Sequence, residues 1–289
     1  RKARNMIPAL HSWSFRNKFK ENPDFTIEQA IDQTAAFGFE GIEIMSGKAG
    51  GELGDFKSHD IAYLRDVKKY AEDAGVELIC FSTYNDFAFV TNEEWRLQNI
   101  QFIKDWLRIA GELEVPNIRM LTGYYIEGEG RGKLEDLTRA GIEECIPVAE
   151  EAGVNMAIEN HNSIFFQAED IVKLIEDFGS DRLTACPDPS NGVKGFLTNE
   201  GGEEARERVF ETARLLAPYA TESHIKFKGW DEDGKPLGWG DGLERLFTIY
   251  RDNGYDGPVA VESVCDGDLI APMEKLQTLM REAMEKTAS

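Results

Sequence analysis

The sequence predicts an α/β fold, a single-domain (β/α)8 TIM barrel over residues 1–289, and three observations carry that expectation. Eight short apolar or β-branched runs recur at a near-constant interval, amphipathic stretches fill the gaps, and an ionisable residue stands at or near the end of each of the last four runs. A chain of 289 residues and 32.5 kDa lies within the range of one such barrel.

The runs begin at Pro8 (PALHSWSF), Gly41 (GIEIM), Glu77 (ELICFS), Asn117 (NIRMLTG), Asn155 (NMAIEN), Leu183 (LTACPDP), Ala220 (ATESHIKF) and Gly257 (GPVAVES). Their starts lie 33 to 40 residues apart, except for 28 between the fifth and sixth, which is room for one strand and one helix. Stretches such as TIEQAIDQTAAFG and DIAYLRDVKKYAEDAG repeat apolar residues at i, i+3, i+4 and i+7 and stop at glycine, the mark of helices with one buried face. A doubly wound sheet would have fewer units and a GxGxxG after its first strand, which is missing here. The cluster GEGRG at 128–132 follows Tyr124-Tyr125-Ile126-Glu127, and its acidic neighbours make it a loop rather than a phosphate cradle. No Pro/Ser-rich linker divides the chain.

Composition narrows the partners. The net charge is −21, from 32 basic and 53 acidic residues, whereas nucleic acids and anionic membranes bind through Lys and Arg. Both are therefore excluded as expected partners. No apolar run approaches the ~18 residues of a membrane span. Cys80, Cys145, Cys186 and Cys265 are scattered without a CxxC pair, so they read as buried hydrophobes in a reducing, cytoplasmic setting. The start Arg1-Lys2-Ala3-Arg4 lacks methionine, which leaves a removed tag or signal sequence open.

Glu159, Asp188, His224 and Glu262 are 29, 36 and 38 residues apart, about one strand-plus-helix unit each. Residues so spaced converge only if the strands lie side by side and end at one face. Side chains alternate along a strand, which places Glu159 with Ala157 and Glu262 with Ala260 on an inward face and the bulkier Met156/Ile158 and Val259/Val261 outward. By the same parity Lys226 shares a face with His224 and Glu222. Three carboxylates and an imidazole make a hard, oxygen-rich set for one divalent ion, Mn²⁺ or Co²⁺ first, with Mg²⁺ and Zn²⁺ admitted. Such an ion would polarise the carbonyl of a small polyhydroxy substrate, with Glu159 and Glu262 on opposite sides as catalytic acid and base.

The motifs I-E-N-H, P-D-P-S-N, S-H-I-K, L-G-W-G-D-G and G-Y-D-G-P-V-A-V-E-S resemble, as a set and over nearly the whole chain, the sugar phosphate isomerase/epimerase superfamily of xylose isomerase-like TIM barrels. The resemblance implies that Glu159, Asp188, His224 and Glu262 carry the metal, that the two glutamates act as acid and base, and that homo-oligomers pair through the outer helices. It departs from the endonuclease IV type, whose three zinc ions need further histidines. The corresponding regions read CFSTYND and RMLTGYY, and Asn191 stands three residues after Asp188.

Around this set, His161, Lys226, His11 and Trp13 are candidate substrate-binding residues; His11 and Trp13 share a face if strand one runs through both. The blander readings are a supporting hydrogen bond for His161, an ion pair with Glu222 or another carboxylate for Lys226, and barrel packing for His11 and Trp13. Arg119 is expected to pair with Glu43, and Trp230 and Trp239 to form a lid or a subunit contact. The expected activity is a metal-dependent sugar isomerase or epimerase working through proton removal beside a carbonyl. The alternatives are a lyase or dehydratase of a keto-polyol or 3-keto-glycoside, and a non-catalytic sugar-binding barrel.

Overall fold

The computed structural model describes residues 6–161, 163–265 and 270–288; the basic start of the chain lies outside them. Each apolar run forms one strand: β1 Pro8–His11, β2 Gly41–Lys48, β3 Glu77–Tyr84, β4 Asn117–Met120, β5 Asn155–Glu159, β6 Leu183–Cys186, β7 Ser223–Phe227 and β8 Val259–Ser263. Nine helices occupy the described connections: α1 Arg16–Glu21, α2 Ile27–Ala36, α3 Ile61–Asp73, α4 Glu93–Glu112, α5 Arg131–Ala152, α6 Ala168–Phe178, α7 Gly202–Leu216, α8 Gly242–Asp252 and α9 Ile270–Lys286.

Local chemistry sets the helix ends. The Thr26 side chain accepts from the Gln29 N–H while the Gln29 side chain accepts from the Thr26 N–H, a reciprocal cap that starts α2. Asp60 accepts from the N–H groups of Ala62 and Tyr63 at the start of α3. At the other end, α5 and α6 stop at Gly153 (φ 71°) and Gly179 (φ 61°), left-handed positions where a Cβ would be strained.

The strands are all parallel and ordered β6-β5-β4-β3-β2-β1-β8-β7, so the sheet curls until β6 and β7 meet. That last seam is thin. It holds a single bridge between Ala185 and Ala220, with Thr221 N–H donating to Ala185 O (3.2 Å) and His224 N–H to Pro187 O (2.8 Å). Between β2 and β3 the register shifts, Ile42 facing Leu78 but Glu43 facing Cys80, so one extra residue of β3 re-aims the remainder of that strand.

Apolar side chains form two compartments. The larger lies between sheet and helices and includes Ile42, Ile44, Phe81, Trp106, Met156, Ile158, Val259 and Val261. The smaller, formed by Ala9, Ile79, Cys80 and Ala260 with Ile7 packed against it, fills the floor of the barrel. The small inward residues anticipated beneath the polar strand ends are thus found there at Ala260. All four cysteines are buried and no disulfide joins any two of them. Among the described residues no helix is long and apolar enough to cross a membrane.

Strand one differs from expectation. β1 ends at His11, and Ser12–Phe15 form a 3-10 turn because His11 Nδ1 accepts the Trp13 N–H at 2.9 Å. His11 and Trp13 therefore do not share a strand face: His11 is buried and Trp13 is 40% exposed.

Candidate active site

The C-terminal strand ends gather a polar cluster over the apolar floor. Glu159 is the last residue of β5, Asp188 follows β6 by two residues, His224 and Lys226 stand on β7, and Glu262 on β8. All but Lys226 are buried.

Asp188 is placed by its backbone. Its N–H donates to Asn160 Oδ1 (2.7 Å) and its carbonyl accepts from Asn160 Nδ2 (2.8 Å), a reciprocal clamp tying the end of β6 to the end of β5. The Ser190 hydroxyl donates to Asp188 Oδ1 at 2.9 Å. Oδ2 pairs with the Lys226 ammonium, whose other partner is Glu262 Oε2 at 2.9 Å. Lys226 thus bridges two carboxylates, not Glu222, and these together hold its pKa up against the burial that would lower it. Burial would raise the Glu262 pKa, but Lys226 and then His11 bring it down to about 2.

Glu159 is held from another side. Arg119 on β4 pairs with its Oε2, through Nε at 2.6 Å and a second guanidinium nitrogen, and donates from Nη1 to Thr83 O at 2.8 Å. The expected Arg119–Glu43 pair is therefore replaced by Arg119–Glu159, because neighbouring β4 and β5 carry the two groups on the same inward face. Tyr84 packs against the guanidinium, 4.9 Å from its ring centre. Asn191 Nδ2 donates to Glu159 Oε1 at 3.0 Å. Burial disfavours the charge on Glu159, yet Arg119 and His224 keep its pKa well below the usual carboxylate range.

His224 lies at the centre. Its Nε2 is 2.6 Å from Glu43 Oε2, while Nδ1 points at Glu159 Oε1, 3.6 Å away, and has no hydrogen-bond partner among the described residues. Ligand atoms of Glu159, Asp188 and His224 all lie within 4.8 Å of one another. Two carboxylates and a buried nitrogen lacking a partner fit a hard divalent cation. Glu262 lies outside that group of three and, like Asp188, pairs with the Lys226 ammonium through one oxygen.

The flanking residues divide. His161 is half-buried, with Nδ1 unpartnered and its ring edge-on to Tyr84 at 6.4 Å. Trp13 stands at the rim beneath the Arg16 guanidinium. His11 faces inward: Nε2 contacts Ser82 Oγ (3.0 Å) and Glu43 Oε1 (3.4 Å). Trp239 is buried, with Nε1–H donating to Lys226 O at 2.8 Å, so it props β7 and is no exposed lid. Trp230 is half-buried beside Phe227 and under Lys275. One layer below His224, Glu222 is buried with neither oxygen hydrogen-bonded among the described residues; burial and then Glu43 push its pKa well above the usual range.

Fold and site define a parallel eight-stranded barrel with a buried acidic centre at its C-terminal mouth. The family model described as xylose isomerase-like TIM barrel matches residues 31–288, and the chain belongs to that family. No curated protein matches the sequence. Among solved structures, the chain is similar to an L-ribulose 3-epimerase (16% identity, covering 98% of this chain and 96% of that one, TM-score 0.70). It is also similar to the D-psicose 3-epimerase with D-tagatose from Clostridium cellulolyticum H10 (16%, 98% and 98%, 0.69). A third is the xylose isomerase-like TIM barrel protein from Mycobacterium smegmatis in complex with magnesium (15%, 99% and 98%, 0.72). At such identities the likeness is one of fold.

Proposed function

We propose that this chain is a divalent-metal-dependent isomerase or epimerase of a small sugar, acting by proton transfer at the carbon beside a carbonyl. The observation that carries the reading is the buried Nδ1 of His224, which has no hydrogen bond among the described residues and faces Glu159 Oε1, in a cluster where ligand atoms of Glu159, Asp188 and His224 lie within 4.8 Å of one another. The epimerases among the structural neighbours support the sugar as substrate class, and the neighbour in complex with magnesium supports the ion.

Glu159, Asp188 and His224 would hold the ion, with Glu262 as the fourth ligand. A divalent ion there supplies Lewis-acid polarisation of the carbonyl and offsets the negative charge left by proton removal. Mn²⁺ or Co²⁺ suits the oxygen-rich set best. Glu159 and Glu262 stand on β5 and β8, so a substrate between them presents one face to each, as inversion at a carbon requires. Arg119 and Lys226 keep these two carboxylates ionised and oriented until substrate arrives. Lys226, His161 and Trp13, with Tyr84 edge-on to His161, would supply the polar and aromatic groups that grip hydroxyls.

The test is solvent deuterium exchange at the carbon beside the carbonyl of ketohexoses and ketopentoses, followed by NMR with added Mn²⁺. Exchange and a new epimer are expected in the wild type. A loss of at least about 100-fold is expected in Asp188→Asn, as for removal of an electrostatic stabiliser. No exchange with any ketose, or full exchange after exhaustive chelation, overturns the reading. A rising conjugated-enone absorbance would instead identify elimination.

A further inference from the structure

Glu43 was not among the expected site residues, yet it stands between two buried imidazoles, hydrogen-bonded to His224 and in charge contact with His11. His11 Nδ1 accepts the Trp13 N–H, so in the neutral ring the proton sits on Nε2, facing Ser82 Oγ and Glu43 Oε1. Glu43 Oε2 in turn faces His224 Nε2 at 2.6 Å. All three side chains are at most 1% exposed, so water does not compete for these contacts. The two imidazoles meet edge-to-face at 5.3 Å, with the carboxylate lying against both.

We infer that Glu43 is a positioning residue that keeps the proton of His224 on Nε2 and so dedicates Nδ1 to a metal ion. A carboxylate only accepts, so the nitrogen facing it must be the protonated one in both the neutral and the cationic ring. The only nitrogen left for an exchangeable proton or an ion is the one facing Glu159. A carboxylate behind a ligating histidine fixes the ring and strengthens it as a donor. In-register pairing with His11 of β1 puts Glu43 on the inward face of β2, inside the barrel, although that strand contributes none of the four expected ligands.

This rests on the metal-centre reading, and two readouts separate the failures. The chain has four histidines, so ¹⁵N-histidine labelling gives a spectrum simple enough to assign. In wild-type protein with Zn²⁺, His224 is expected to keep its Nε2 proton while Nδ1 moves to the shift of a metal-bound nitrogen. In Glu43→Gln the amide can turn its NH2 toward the ring, and Mn²⁺ affinity by calorimetry is expected to fall about 10- to 100-fold, with Glu43→Asp falling less. His224 bound through Nε2 in the wild type overturns the assignment whether or not any variant folds. So does wild-type Mn²⁺ affinity in a folded Glu43→Gln. Absence of Mn²⁺ and Zn²⁺ binding by the wild type overturns the metal centre itself, and this assignment with it. Retained wild-type binding that Asp188→Asn abolishes and Glu43→Gln leaves unchanged removes Glu43 alone.

Discussion

Two cations inside the barrel decide how its acidic residues behave. Arg119 and Glu159 are each at most 1% exposed, so each removes the cost of burying the other. Arg119→Met is expected to lower stability by about 3–5 kcal/mol, because an uncompensated carboxylate is left in the interior. A melting experiment checks this, and if Glu159 holds the proposed ion, saturating Mn²⁺ is expected to raise the variant's Tm more than the wild type's, since the ion would offer Glu159 a new counter-charge. A variant that melts with the wild type would show that the pair contributes nothing. In the sequence, the four ligand candidates were legible because each is a polar residue at the end of an apolar run, where burial needs a partner. The partner of Arg119 was not. Parity places both Glu43 and Glu159 inside the barrel, and only the relative heights of the strands select between them. Asn160 was hidden for a similar reason: its bonds reach the backbone of Asp188, and side-chain spacing carries no trace of them.

At the scale of elements, strand starts were readable to within three residues, since apolar runs and glycine stops punctuate them. Turns that depend on one hydrogen bond were not, as the end of β1 at His11 shows. The connection between β2 and α3 contains a testable feature. Asp55 keeps Oδ2 buried without a hydrogen bond among the described residues, and burial raises its pKa to about 6, with Ser12 and His11 opposing. A carboxyl with a raised folded-state pKa binds its proton more tightly in the native chain than in the unfolded one. Its effect on stability is therefore absent below about pH 4 and grows unfavourable as pH rises to about 6, by on the order of 2 kcal/mol. Asp55→Asn should flatten that slope and raise stability above pH 6, read by denaturant titration across pH 4–7. An unchanged slope would place Asp55 in a wetter, partnered state.

Over the whole molecule, eight strands share one hoop of hydrogen bonds, and the hoop is uneven. β7 and β8 pair in register over five residues, whereas β6 and β7 are joined by one bridge and a few bonds to Pro187 and Ala185. Asp188 and His224 stand on the two sides of that thin join. An ion shared between them would be a rivet across the least-stitched part of the wall, with a mechanical as well as a chemical role. Removing it should loosen the barrel locally: amide exchange is expected to quicken first in Leu183–Cys186 and Ser223–Phe227, with Gly41–Lys48 and Glu77–Tyr84 unaffected. Uniform quickening around all eight strands would deny the ion that part. Cation supply would then set how firmly the barrel is shut, so the chain would keep its full closure only where the ion is at hand to use.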